Sequence, residues 1–110
     1  MKRIKTLMLV AVVLAATAVS ASADTKLRKL KMFNYTAGDV CEIHIYGDVS
    51  PDVGNLLHHG CLPNGGWSAL ISRPLRSNEC YVGVVGYDEF GEQVFYDYVN
   101  ICRVMNVYMQ

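Results

Sequence analysis

The sequence predicts an all-β fold, a small antiparallel β-sandwich or partly open barrel stapled by disulfides. Three observations carry this. Beyond residue 23 no segment of useful length keeps a helical apolar period, while short alternating segments recur between Gly- and Pro-rich turns. Four cysteines, Cys41, Cys61, Cys80 and Cys102, follow a leader-like N-terminus, and an even number in a short exported chain reads as a disulfide framework. The stretch Cys80 to Cys102 reads as one hairpin with a cysteine near each end.

Residues 1–23 read as a signal peptide. Lys2, Arg3 and Lys5 are a basic start, Leu7 to Ala18 an apolar run, and Ala21-Ser22-Ala23 a small-x-small cleavage site before Asp24. The run falls short of the ~20 apolar residues of a spanning helix. The expected localisation is secreted or periplasmic. Residues 24–110 are expected to form one β domain with no transmembrane segment, small enough to need staples.

The chain is formally neutral, but all ten acids lie beyond residue 23, against seven bases there, a net charge of −3. This argues against a nucleic-acid surface. Lys26, Arg28, Lys29 and Lys31 cluster at the start of the domain and read as a solvated edge strand, since edge lysines discourage aggregation.

Residues 27–35 form the first expected strand, and Asn34-Tyr35-Thr36 is an N-glycosylation sequon. Thr36-Ala37-Gly38-Asp39 is a turn. Residues 40–46 are a half-buried strand, with Cys41, Ile43 and Ile45 on one face and Glu42 and His44 on the other. His44 is expected at the surface. Gly47 to Gly60 is irregular, with Leu56-Leu57-His58-His59 as a possible helical turn. Asp48, Ser50 and Asp52 alternate like the start of a calcium loop, but Val53 stands where that loop needs Gly and His59 where it needs Glu. Cys61 to Gly66 is a breaker-rich turn. Trp67 to Ser72 is a strand with Trp67, Ala69 and Ile71 facing the core, Arg73 to Glu79 a polar connection, and residues 103–109 a closing strand.

The hairpin register follows from its turn. Asp88-Glu89-Phe90-Gly91 has Asp first and Gly last, as a type I turn followed by a left-handed glycine prefers. Asp88 then faces Glu92, and the pairs run back as Gly86–Val94, Val84–Tyr96, Val82–Tyr98 and Cys80–Asn100. Cys102 becomes the diagonal neighbour of Cys80, about 7–8 Å away, near the upper limit for a disulfide. A slip of one residue would turn the two cysteines to opposite faces, so this register and a Cys80–Cys102 bridge support each other. Distance alone does not exclude bridges from Cys41 to the hairpin.

Several short motifs resemble a group of uncharacterised small secreted bacterial β-domains. They are Ile45-Tyr46, Ser50-Pro51-Asp52, Gly54-Asn55-Leu56-Leu57, Leu62-Pro63, Cys80 to Tyr87, Glu89-Phe90-Gly91 and Val99-Asn100-Ile101-Cys102. Val53-Gly54 replaces the group's Trp-Gly, and Cys41 and Cys61 are additional. The resemblance implies a β fold and a Cys80–Cys102 bridge, which leaves Cys41 to pair with Cys61. It implies no activity.

Catalytic signals are weak. Gly66-Trp67-Ser68-Ala69-Leu70 lacks the last glycine of a nucleophile elbow, and no close cysteine pair suggests zinc. No cofactor motif is present. The expected function is a non-catalytic exported domain, binding a protein or cell-envelope component or serving structurally. Tyr81, Tyr87, Tyr96 and Tyr98, concentrated in one hairpin, are its candidate binding surface, since tyrosine joins a flat apolar body to a polar tip. The alternative is a small metal-dependent enzyme or hydrolase built on His44, His58, His59, Asp48 and Asp52.

Overall fold

The alternation in the sequence becomes six strands in the computed structural model, which describes residues 24–58 and 60–110. They are β1 (Thr25–Asn34), β2 (Glu42–Gly47), β3 (Trp67–Arg76), β4 (Tyr81–Tyr87), β5 (Gln93–Asn100) and β6 (Asn106–Met109). Two three-stranded sheets form, ordered β3-β1-β6 and β2-β4-β5. They pack as an open sandwich, not a closed barrel. The expected signal peptide and His59 lie outside the described residues. Among those described, no helix is long and apolar enough to cross a membrane.

Period-two alternation builds the core. Leu30 and Met32 of β1, Ile71 and Leu75 of β3, and Val107 and Met109 of β6 point inward from one sheet. Ile43, Ile45, Val82, Val84 and Val99 meet them from the other, in one cluster with Val40, Leu56, Leu57 and Leu62. Leu56 and Leu57 reach this core without the helical turn expected there: 55–57 is irregular and Leu56 N–H donates to Ile43 O.

Three expectations about strands are corrected. β1 is the middle strand of its sheet, not an edge. Only its first half pairs with β3 alone, whereas Lys31 to Asn34 also pair with β6, which runs parallel to β1. β3 does not stop at Ser72 but continues through Pro74 to Arg76. Pro74 is tolerated because β3 is the outer strand of its sheet. The alternation therefore carries on, and Arg73 and Leu75 are buried. Trp67 is 62% exposed rather than core. It sits at the mouth of the sandwich, paired with Asn34, and the fully buried Asn34 side chain fills the interior there.

Asn34 is a hub of polar contacts. Its amide N–H groups donate to Gly38 O at 2.9 Å and Leu62 O at 2.8 Å, and its Oδ1 accepts from Thr36 N–H at 3.0 Å and Thr36 Oγ1 at 2.6 Å. The sequon is therefore closed in the folded domain.

Arg73 and Glu79 fasten the loop after β2. Arg73 donates across the sandwich to Ile45 O at 3.1 Å and to Pro51 O. Glu79 accepts from Val49 N–H at 3.0 Å, Ser50 N–H at 3.3 Å and Ser50 Oγ. Burial alone would raise the Glu79 pKa. The donors from Ser50 and Val49, with Arg73 nearby, outweigh it and hold the carboxyl below its usual range.

The cysteines pair as Cys41–Cys61 and Cys80–Cys102, with Cα separations of 3.9 Å and 5.1 Å. The first bridge lies beside the short Val40–Leu62 pairing. Two disulfides in so small a domain belong to an oxidising, extracytoplasmic environment.

Candidate functional site

The β4–β5 hairpin builds the candidate site. At its turn the expected register holds. Asp88 N–H donates to Glu92 O at 2.9 Å, and Asp88 Oδ1 accepts from Phe90 N–H and Glu92 N–H, both at 2.9 Å. Gly91 has φ 80°, the left-handed conformation this loop requires. Tyr87 pairs with Gln93, but Gly86 pairs with Phe95, so Val94 is a bulge without a partner. Every later pair is shifted by one: Val85 with Tyr96, Gly83 with Tyr98, Tyr81 with Asn100. The expected pairs Gly86–Val94, Val84–Tyr96, Val82–Tyr98 and Cys80–Asn100 are corrected accordingly. Burial explains the shift: it turns Phe95 and Val99 inward beside Val82 and Val84, where the expected ladder would have buried Tyr96 and Tyr98.

The Cys80–Cys102 bridge forms despite the slip. β5 ends at Asn100, and Ile101 N–H donates to Cys80 O at 2.6 Å. The chain turns at 101–103, with Cys102 N–H held by Asn100 Oδ1 at 3.1 Å. Cys102 is therefore not a strand residue, and strand alternation does not govern where it points.

The same slip gathers the tyrosines. In the expected ladder Tyr81 and Tyr87 would face away from Tyr96 and Tyr98. In the observed one all four share the outer face of the β2-β4-β5 sheet, where rows read Tyr46–Gly83–Tyr98 and His44–Val85–Tyr96. Tyr81, Tyr96 and Tyr98 are each about half exposed, while Tyr87 is more covered. The Tyr81 and Tyr98 rings stack, with centroids 5.7 Å apart and planes 16° from parallel. Tyr46 was not among the expected residues, although it alternates with Glu42 and His44 on β2. Its ring lies over Gly83, where a Cβ would come within 2.9 Å of it. A strand glycine is what this close approach needs.

The face is electronegative. Glu42 of β2 and Asp88, Glu89 and Glu92 of the 88–92 turn border it, Asp97 lies on the other side of β5 opposite Val84, and β2, β4, β5 and the turn hold no Lys or Arg. The strands of the other sheet hold six Lys or Arg and no acid. Loss of water and the neighbouring Tyr96 raise the Tyr46 phenol above its ordinary pKa. Loss of water and then Asp48, Tyr96 and Tyr81 do the same for Tyr98. At one end of the face Asp48, Val49, Asn78, Tyr81 and Tyr98 line a hollow of about 260 Å³.

His44 is not a free surface histidine. Its Nδ1 lies 3.0 Å from both carboxylate oxygens of Asp52, its Nε2 3.2 Å from Glu42 Oε1, and its ring meets Tyr87 edge-on. Burial acts to lower its pKa, but the hydrogen bonds its ring donates to Asp52 and Glu42 outweigh burial and raise it. Both ring nitrogens are engaged. Asp48 borders Tyr98 instead, and His58 lines a separate, largely apolar hollow of about 470 Å³ between residues 56–58 and 60–62 and β3. The structure thus does not bring His44, His58, Asp48 and Asp52 together, and among the described residues no group of three His, Cys, Asp or Glu is arranged to hold a metal.

No protein-family model matches the chain, and comparison with curated proteins and with solved structures gave no match.

Proposed function

We propose that this is a non-catalytic exported domain that binds a protein or cell-envelope component through the outer face of the β2-β4-β5 sheet. The observation that supports it is the gathering of Tyr46, Tyr81, Tyr87, Tyr96 and Tyr98 on one exposed face. Contiguous exposed aromatic surface is costly in water and marks interaction sites, and tyrosine contributes contact area with little conformational entropy to lose. A leader-like N-terminus and two disulfides support secretion or a periplasmic location. The likeness to small secreted bacterial β-domains agrees with this reading.

The test compares wild type with a Tyr96→Ala/Tyr98→Ala variant, each oxidised and immobilised, in capture from envelope extract of the source cell. Both residues are exposed, so the fold should survive. A specific component retained by wild type and lost by the variant is the expected result. Equal retention by both would remove the face from consideration.

A further inference from the structure

The binding face does more than expose tyrosine; its charge pattern specifies an occupant. Each ring presents a negative π face, and a desolvated cation over such a ring gains about 0.5–2 kcal/mol. On the opposite sheet that interaction is already made within the chain, where Lys31 Nζ lies 5.4 Å from the Phe33 ring centroid. The tyrosines of β4 and β5 have no such cation among the described residues, because β2, β4 and β5 contain no Lys or Arg. The hollow at the end of the face joins two parallel rings, Tyr81 and Tyr98, to the exposed carboxylate of Asp48. Asp48 has no hydrogen-bond or ion-pair partner among the described residues, unlike Asp52 and Glu79. An aromatic wall of two stacked rings and an uncommitted carboxylate around a space the size of one side chain match a guanidinium or ammonium group in shape and charge. β4 spans Tyr81–Tyr87, so the face is about 20 Å long at ~3.3 Å per residue. That length suits a short extended segment better than a whole globular surface.

Resting on the binding role proposed above, we infer that the tyrosine face takes a basic segment of a partner polypeptide. One arginine or lysine side chain of that segment is seated in the hollow that Tyr81, Tyr98 and Asp48 line. The same pattern disfavours anionic partners, which Glu42 and the acids of the 88–92 turn repel.

The experiment titrates the oxidised protein with a fluorescent twelve-residue peptide alternating arginine and serine, beside a glutamate–serine peptide of equal length. Saturable binding of the arginine peptide alone is expected, weakening about tenfold between low and moderate salt as screening grows. Asp48→Asn and Tyr98→Ala should each weaken it about fivefold or more, while Asp39→Asn, away from the face, should not. Equal binding of the glutamate peptide, or indifference to both face variants, overturns the inference. Sedimentation of the protein alone tests a second copy as occupant: salt-sensitive self-association lost in both Tyr98→Ala and Lys29→Gln/Lys31→Gln would also overturn it. If Tyr96→Ala/Tyr98→Ala abolishes envelope capture while the arginine peptide fails to bind, the binding face stands and the cationic occupant falls.

Discussion

Replacing Gly47 with alanine should destabilise this domain far more than a strand Gly→Ala change normally does. Gly47 ends β2 and does not have positive φ, so its backbone accepts alanine without strain. The obstacle is Glu79. A Cβ at position 47 would lie 2.7 Å from Glu79 Cδ and closer still to Oε2. A flexible surface carboxylate would swing aside at little cost, but Glu79 is buried and accepts from Val49 N–H, Ser50 N–H and Ser50 Oγ. Moving it breaks at least one hydrogen bond to a charged group and leaves donors in the 48–51 loop unmatched, a loss of about 2–4 kcal/mol. For a domain of this size that lowers the melting temperature by about 10–25 °C. Urea denaturation of the oxidised protein, followed by circular dichroism, measures it. The control is a double-mutant cycle with Glu79→Ala, which removes the obstacle, so that Gly47→Ala becomes nearly neutral in that background. A cost below about 0.5 kcal/mol in wild type, or an equal cost in both backgrounds, would refute the reasoning.

Four further outcomes are expected. Cys80→Ser/Cys102→Ser should lose about 3 kcal/mol, the loop-closure entropy of a bridge spanning 22 residues, and non-reducing peptide mapping should link Cys41 only to Cys61. Asn34→Ala should cost about 2–3 kcal/mol, because it removes the hydrogen bonds of a fully buried side chain and leaves Thr36 N–H without its acceptor, while Leu62 O keeps Val40 N–H and Gly38 O keeps Thr36 Oγ1; denaturation midpoints read this directly. The depressed Glu79 pKa stabilises the fold above the ordinary value of 4.5, and that stability is lost as pH falls through the folded value. The raised His44 pKa stabilises below 6.5 and is lost as pH rises through its folded value, so stability should peak between these limits, with His44→Gln flattening the alkaline side. Deleting Val94, the unpaired bulge residue, should leave near-ultraviolet circular dichroism and the disulfides intact. Deleting Asp97 should not, since it inverts the strand beyond it.

Much of the fold was legible because it rests on local alternation. Ile43 and Ile45 against Glu42 and His44, or Leu30 and Met32 against Lys29 and Lys31, announce half-buried strands wherever the chain goes. Asp88 and Gly91 announce the turn by chemistry that acts within five residues. What escaped was set by contacts distant in sequence. β3 runs on through Pro74 because its outer position leaves that missing N–H unneeded, and position in a sheet is not written locally. Trp67 reads as core by size and alternation, but Asn34, far earlier in the chain, holds the interior at that end. His44 reads as a surface histidine until the loop folds back and sets Asp52 against it.

The tyrosine face shows how far one residue can carry this difference. The turn chemistry dictates Asp88 opposite Glu92, and the hydrophobic pattern of β5 dictates Phe95 and Val99 inward. These two demands are out of phase by one position, so an unbulged hairpin satisfies only one of them. Val94 reconciles them by leaving the ladder. The conflict was present in the sequence: with Val84 opposite Tyr96 and Val82 opposite Tyr98, two tyrosines would have stood in the core and Val99 outside it. A bulge is the cheap resolution, since it costs one unpaired residue near the turn where the strand is already exposed. Its consequence reaches the other end of the hairpin, where Tyr98 comes to stack on Tyr81 beside Asp48. The surface that distinguishes this domain is thus a product of the mismatch between its turn and its core.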